Sequence, residues 1–260
     1  MPLARRHFIA MLLAAVLAAS VAGVAGPAGA AGPAGALGGA PRLLEPFRMD
    51  LGERGDFVSQ ATTTWCIGAS MQMMLNIVRP VNDTSVETQE ALMVLARSFR
   101  KRAYQSNVPI DQVRGASARG LAAGLTKLGA GQYRVTSAAS LEQAVELVAR
   151  AMRSTGRPAG ILVWKGRHAW VVSGFEASAD PATTSAIAVT GLVVMDPWYP
   201  RTSRAYGASP KPGATLTMRQ LAADFLPFEN LHRTSRWAGR FVVVIPYDRF
   251  RVLHRLPHAA

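Results

Sequence analysis

The chain contains a single cysteine, Cys66, and its surroundings favour nucleophilic chemistry. It lies within Gln60–Ile77, where a run of threonines gives way to apolar residues that recur every three or four positions, which predicts a helix. Thr63 and Thr64 are expected to cap that helix. A thiol in a first helical turn feels the positive end of the helix dipole, which favours the thiolate, the form that attacks acyl carbons.

His168 and Asp196 are the groups that best complement such a thiolate. His168 begins the apolar run His168–Phe175, and Asp196 directly follows a second apolar run, Ile187–Met195. If the two runs are neighbouring strands, the Asp196 carboxylate accepts a hydrogen bond from one ring nitrogen of His168 and leaves the other nitrogen for a thiol. The three residue types then supply a nucleophile, a base and an orienting acid.

Gln60 completes the predicted catalytic set. Its side-chain amide and the backbone amide of Cys66 are expected to donate to the oxyanion of a tetrahedral intermediate. Losing one such donor typically raises the activation barrier by about 3 kcal/mol. The sequence shows no cluster of metal ligands, so we expect neither a metal nor a cofactor. The expected substrate is a peptide or protein, whose amide bonds offer an acyl carbon to the thiol.

Each of these residues also has a plainer explanation. A lone cysteine on a helix is usually a small buried hydrophobe, and a histidine that opens a strand is often a hydrogen-bonded core residue. An aspartate before a proline is a common turn former, and glutamine is common in loops. The four residues favour catalysis only as a combination.

The composition describes a globular protein with a basic surface. Apolar residues make up 49% of the 260 residues and charged residues 17%, which excludes a disordered chain. The formal charge of +13 is spread along the sequence, which fits a solvated surface and also fits attraction to an anionic cell-envelope surface. No basic helix, finger or aromatic-laced basic strip is present, so nucleic acid is not an expected partner.

The first 46 residues are interpreted as an export signal followed by a flexible linker. Residues 1–30 carry Arg5 and Arg6 before an apolar run and then small residues, the pattern of a secretory or twin-arginine signal peptide. Residues 31–46 form an Ala/Gly/Pro-rich linker. We therefore expect a secreted or envelope-associated protein, with no stable membrane span after signal removal. One unpaired cysteine in an exported chain favours a reactive thiol.

The elements that must position the site fall into two groups. Capping boxes at Thr84, Ser140 and Thr217 predict helix starts, and a further helix is expected over Ser117–Leu128. Short β-branched runs are concentrated later in the chain: Ile161–Trp164, His168–Phe175, Ile187–Met195 and Arg240–Pro246. Helices followed by an antiparallel sheet predict an α+β domain over residues 47–250, with residues 251–260 as a tail.

With these residues in place, the chain resembles the papain-like cysteine peptidases. It is most similar to their bacterial branch, related to the bacteriocin leader peptidases of the double-glycine processing type. The resemblance covers about Phe57–Pro197 and includes the Gly156–Val163 segment before the histidine strand. It implies a papain-like α+β fold, in which an N-terminal helical half with a central nucleophile helix packs on a C-terminal antiparallel sheet. It also implies the roles given above for Gln60, Cys66, His168 and Asp196.

The resemblance has departures and leaves competing functions open. Trp65-Cys66-Ile67-Gly68 stands where the family usually shows Asp-Cys-Gly or Asn-Cys-Gly, which raises a question about substrate access past Trp65. Cleavage of a peptide or isopeptide bond is the leading hypothesis. Acyl transfer of the transglutaminase type uses the same groups, and a silent papain-like binding domain would keep the fold alone. Cell-wall amidases with a Cys–His pair are a further alternative, although they usually place the histidine much nearer the cysteine.

Overall fold

An antiparallel sheet organises the chain. The computed structural model describes residues 45–79, 81–99, 115–229 and 235–248. The strands are β1 (Phe47–Asp50), β2 (Gln132–Ala138), β3 (Ala159–Val163), β4 (His168–Ala177), β5 (Val189–Met195), β6 (Thr202–Ser203), β7 (Gly207–Ala208), β8 (Ala214–Thr217) and β9 (Phe241–Tyr247). The helices are α1 (Cys66–Val78), α2 (Val86–Ser98), α3 (Ala118–Lys127), α4 (Leu141–Thr155) and α5 (Met218–Asp224).

Seven of these strands join in one sheet within the described residues. Their order is β2-β9-β3-β4-β5-β8, and β1 pairs with the second half of β4, beyond the end of β3. Every pairing in the sheet is antiparallel, and the small β6–β7 hairpin stands apart from it. The predicted α+β papain-like class is confirmed.

The core has two parts, one on each face of the sheet. On one face α1, α2 and α3 pack with residues such as Leu162 and Val171, and on the other face α4 and α5 pack with residues such as Ile161 and Val172. Because side chains alternate along a strand, each buried strand contributes to both parts. The sheet therefore carries helices on both faces, whereas the sequence predicts two halves packed face to face.

Two predicted capping boxes have different outcomes. At α5 the box forms in full between Thr217 and Gln220. At α4 the hydroxyl of Ser140 accepts from the amide of Gln143, but the Gln143 side chain accepts from the amide of Ala139 and leaves the box open. Both helices begin where predicted, because one hydroxyl acceptor is enough to satisfy an orphan amide.

The start of α2 lies one residue beyond its predicted cap. Ser85, not Thr84, is the capping residue, and its hydroxyl accepts from the amide of Thr88. The same hydroxyl donates to the carboxylate of Asp83. This carboxylate also accepts from the Ser85 amide, so the turn before the helix selects Ser85.

Several sequence-based predictions lie outside the described residues. These are the signal peptide, the linker as far as residue 44, and the tail over residues 251–260. In the part of the chain that the structure describes, no helix combines the length and the hydropathy needed to cross a membrane.

Candidate active site

Cys66 is the first residue of α1, as predicted, but its helix is not capped as predicted. Trp65 occupies the capping position and no side chain caps the helix there. Thr63 and Thr64 lie instead in a turn closed by Thr62, whose hydroxyl accepts from the amide of Thr64. Because Thr62 closes this turn, the hydroxyls of Thr63 and Thr64 do not accept from the amides of α1. The first turn of α1 therefore leaves its positive end without a side-chain acceptor, next to the thiol.

His168 and Asp196 meet across neighbouring strands. Strands β4 and β5 pair with Val171 opposite Met195, which brings the residue after β5 close to the start of β4. The His168 Nε2 lies 2.6 Å from Asp196 Oδ1, and both side chains are buried. Asp196 Oδ1 also accepts from the backbone amide of Trp198, at 2.8 Å. The Trp198 amide thus holds the Asp196 carboxylate in the orientation in which it contacts the imidazole.

The second ring nitrogen of His168 is the one left for Cys66. Burial alone lowers the pKa of His168, but hydrogen bonds to Asp196 and Cys66 and the negative charges of both partners outweigh it. Together they raise the pKa of His168 to about 9. The ring is therefore an imidazolium near neutral pH, held between a carboxylate and the sulfur. Helix α1 is joined to β4 beside this contact, since the Ser70 hydroxyl donates to the carbonyl of Ala169.

Trp164 covers one face of the imidazole. Its ring stacks on His168 with 4.2 Å between centroids, and its indole N–H donates to Asp224 Oδ1 at 2.8 Å. Burial raises the pKa of Asp224, against the effect of this hydrogen bond. On its other face Trp164 stacks on Tyr206, with 5.1 Å between centroids. The imidazole is therefore confined by an aromatic stack that Asp224 anchors.

The tight turn Trp164–Gly166 sets the position of that stack. Trp164, Lys165 and Gly166 all have positive φ angles, of 54°, 58° and 87°. Two non-glycine residues in the left-handed region cost about 1 kcal/mol or more each, and such strain persists only where surrounding contacts impose it. Here Lys165 accepts at its carbonyl from the amide of Glu229. Sequence reasoning missed Trp164 and Asp224; a tryptophan in the turn just before His168 was the available signal.

Gln60 is buried beside the site, and the structure records its neighbours in detail. Its backbone N–H donates to the carbonyl of Pro197, and its backbone carbonyl accepts from Arg201. These bonds connect its loop to the turn after Asp196. Its side-chain nitrogen donates to the carbonyl of Thr62 at 2.6 Å. A carboxamide nitrogen has two hydrogens, so the bond to Thr62 leaves its second N–H uncommitted. Its role as oxyanion donor remains a prediction.

Gln89 of α2 binds the backbone on both sides of Gln60, and sequence reasoning missed it. Its side-chain oxygen accepts from the amide of Ala61 at 2.7 Å, and its nitrogen donates to the carbonyl of Ser59 at 3.2 Å. These two contacts bracket Gln60 on both sides. Gln89 therefore positions the loop through its backbone.

A cavity of about 370 Å³ opens at the sulfur. Among the described residues its lining combines Cys66 and His168 with aromatic, hydroxyl and small side chains and one arginine: Thr63, Thr64, Gly115, Ala116, Trp164, Arg167, Trp198 and Ser203. Trp65 and Gln60 do not belong to this lining, so the bulky residue before Cys66 does not line the route to the sulfur. Trp170, on β4 beyond His168, is instead a core residue on the α4 face of the sheet.

The described residues contain no group of three histidine, cysteine or carboxylate side chains that could hold a metal ion. A helix-borne cysteine beside an imidazolium that a buried carboxylate orients is the constellation of the papain-like cysteine peptidases.

The family comparison agrees with the fold. A model described as the Peptidase_C39 like family matches residues 55–225, more than half of the chain, and the chain belongs to that family. The predicted relationship to the papain-like cysteine peptidases is thereby confirmed, and the family supports a peptidase of the cysteine type. No curated protein matches the chain.

Proposed function

We propose that the chain is an exported thiol hydrolase that cleaves a peptide or isopeptide bond. Cys66 is the nucleophile, His168 the base and acid, Asp196 the orienting carboxylate and Gln60 an oxyanion donor. The observation that carries the proposal is the position of the His168 ring, which is hydrogen-bonded to Asp196 and lines the same cavity as Cys66, a partner that helps to raise its pKa.

The first half of the reaction uses the protonated imidazole. The Cys66 thiolate attacks the carbonyl carbon of the scissile bond and forms a tetrahedral intermediate, whose oxyanion accepts from the Gln60 side chain and the Cys66 amide. The C–N bond then breaks, and His168 gives its proton to the leaving amine. A thioester on Cys66 remains, and His168 is neutral.

The second half regenerates the thiolate. The neutral imidazole takes a proton from a water molecule, whose oxygen attacks the thioester carbon. The C–S bond breaks, the product leaves as a carboxylic acid, and Cys66 and His168 return to the ion pair. Asp196 keeps the same ring nitrogen occupied throughout, so the nitrogen that faces Cys66 does both transfers.

The cavity at Cys66 supports an active site over a silent binding domain. A site of this kind has an orienting carboxylate, an imidazole and an open route to the sulfur, and a domain that only binds needs none of these together. Hydrolysis and acyl transfer share every step up to the thioester, and they differ in whether water or an amine attacks it.

A substrate panel tests the proposed reaction. The purified protein is incubated with peptide, isopeptide and amine-acceptor substrates, and products are read by mass spectrometry. Hydrolysis products that depend on both Cys66 and His168 support the proposal, with Cys66→Ser and His168→Ala as the variants. Products joined to the added amine would instead establish acyl transfer. No turnover of any substrate, with slow Cys66 labelling, would favour the silent domain.

The export part of the proposal rests on the sequence of residues 1–30, and the formal charge of +13 supports an anionic envelope surface as a partner. Cell fractionation of the full chain and of a chain lacking residues 1–30 tests it. The full chain is expected outside the cytoplasm and the shortened chain within it. Equal cytoplasmic retention of both would contradict export.

A further inference from the structure

Arg167 is the charged residue of the cavity wall that the proposed reaction does not use. It directly precedes His168 and lines the cavity that contains Cys66. Its Nη2 donates to Glu229 Oε2 at 3.0 Å and its Nη1 donates to the hydroxyl of Tyr206 at 3.4 Å. The side chain is 55% exposed. Since a guanidinium has five N–H donors in one plane, two anchored donors fix its orientation and three remain for a ligand.

The charge around Arg167 is not balanced at the cavity mouth. Among the described residues, no aspartate or glutamate lines the cavity. Glu229 faces two cations, Lys165 at 3.5 Å and Arg167 at 3.0 Å, so one positive charge is left over. Arg201 adds a further cation, over the ring of Trp198 at 5.1 Å. An anionic group that enters this mouth therefore has Arg167 as a partner and meets no carboxylate among the described lining residues.

Arg167 adjoins the residue that meets the leaving group, because it directly precedes His168. His168 delivers its proton to the leaving amine, so the substrate that follows the scissile bond runs past the imidazole. From that ring the stack continues through Trp164 and Tyr206, at spacings of 4.2 and 5.1 Å, and Arg167 donates to the Tyr206 hydroxyl. An extended peptide advances about 3.3 Å per residue, so Arg167 is within reach about two or three residues after the bond.

We propose that Arg167 is a carboxylate-binding subsite, and that the preferred substrate carries an anionic carboxylate about two or three residues after the scissile bond. The carboxylate belongs to an acidic side chain or to a peptide C-terminus, since both present the same two oxygens to a guanidinium. This inference rests on the proposed function and names the substrate class of the same site.

Haloacetyl peptides test the subsite without requiring turnover. In a bromoacetyl peptide the Cys66 sulfur forms a bond to the methylene carbon and bromide leaves, and the peptide arm runs N-to-C away from the sulfur, as the leaving segment does. One pair of reagents is bromoacetyl-Gly-Gly-Glu amide and its Gln twin. A second pair is bromoacetyl-Gly-Gly-Gly as the free acid and as the amide. Because the chain has one cysteine, intact mass gives the rate directly.

The quantity compared is the ratio of the acid rate to the rate of its amide twin. We expect a ratio of about two to five at low ionic strength, the range of an exposed ion pair. It should fall toward one in about 0.5 M salt and in Arg167→Gln, with Arg167→Lys retaining part of it. Arg134→Gln is the matched control, because it removes the same charge from β2, at the far edge of the sheet, where Arg134 lies over Tyr247.

The two reagent pairs separate the two possible sources of the carboxylate and test whether the subsite exists. A preference for the acid in the first pair alone assigns an acidic side chain, and in the second pair alone a C-terminal carboxylate; either supports the subsite. Equal rates in both pairs, a ratio that survives Arg167→Gln, or an equal loss in Arg134→Gln would overturn it. The amide twins test the proposed function separately, since labelling that is equally fast in His168→Ala contradicts it. A Cys66 that no reagent labels overturns both.

Discussion

At the scale of single residues, the site depends on the protonation of His168. The buried ring stays an imidazolium because Asp196 and Cys66 both stabilise its charge, which raises its pKa to about 9 against the effect of burial. The proposed reaction needs that proton for the leaving amine. Activity should therefore be present below this pKa and be lost as the pH rises through it.

The Asp196→Asn variant tests the origin of the raised pKa. In the wild type we expect the basic limb of kcat/KM near pH 9, and in Asp196→Asn we expect it about 1–3 pH units lower, because an opposing charge within hydrogen-bond distance is lost. Asp180→Asn, which breaks a pair with Arg153 away from the site, is the control and should leave the limb in place. An unmoved limb in Asp196→Asn would rule out Asp196 as the orienting acid.

The Gln60→Ala variant tests the oxyanion donor. We expect kcat/KM to fall about 100-fold, the usual effect of removing one donor from a tetrahedral oxyanion. Alkylation of Cys66 by a small halide forms no oxyanion, so its rate should stay close to wild type. If alkylation slows as much as hydrolysis, Gln60 acts on the thiol or on the fold and not on the intermediate.

At the scale of elements, the turn between β3 and β4 decides where His168 and Trp164 lie. Three successive residues with positive φ lead into β4, and Glu229 is hydrogen-bonded to the middle one. Gly166 has a φ of 87°, and a Cβ there would collide with the ring of Phe228. The turn thus requires glycine for its backbone and for its packing.

Gly166→Ala should therefore destabilise the protein and misplace the stack. We expect a loss of about 2–4 kcal/mol in the free energy of unfolding, from backbone strain and from the clash. Gly207→Ala is the matched control, since Gly207 has a φ of 83° with open space around it, and it should lose about 1 kcal/mol. Urea denaturation measures both, and equal losses would contradict the role of Phe228.

The elements also show what the sequence could and could not predict. Cys66 at a helix start, His168 at a strand start and Asp196 after the next strand follow from local periodicity and from turn residues. Strands β4 and β5 are neighbours, which meets the condition for Asp196 to reach His168. Trp164 and Asp224 are 60 residues apart, and Gln89 reaches a loop 30 residues earlier. No local pattern encodes such contacts.

The ends of elements were misjudged for a related reason. Thr63 and Thr64 have the right chemistry to cap α1, but Thr62 takes the hydrogen bonds of that turn. The strand β8 was not predicted, because Ala214–Thr217 is short and half-buried and exists by pairing with β5. In both cases tertiary contacts overrule a local preference.

At the scale of the whole molecule, the site draws on residues from both packed faces of the sheet. Cys66 belongs to the α1–α3 side, whereas Phe175 is fully buried on the α4 side of the same strand that carries His168. The strand β4 therefore joins the candidate site to this core, against which Trp164, stacked on His168, also packs. We expect the two to unfold together.

Phe175→Ala tests this coupling. A buried phenylalanine replaced by alanine typically costs about 3–5 kcal/mol, so the urea midpoint should fall strongly. The midpoint at which His168-dependent labelling of Cys66 disappears should fall by the same amount as the circular dichroism midpoint. Labelling that is lost well before the secondary structure would show that the site forms a separate, weaker unit.

The central claim is that folding places the Cys66 sulfur against the His168 imidazolium. The most direct measurement is the rate of Cys66 alkylation by iodoacetamide as a function of pH, in the wild type and in His168→Ala. The account predicts fast alkylation in the wild type that persists to mildly acidic pH, and in His168→Ala the profile of an ordinary thiol, rising at about pH 8.5. The same ordinary profile in both proteins would contradict it.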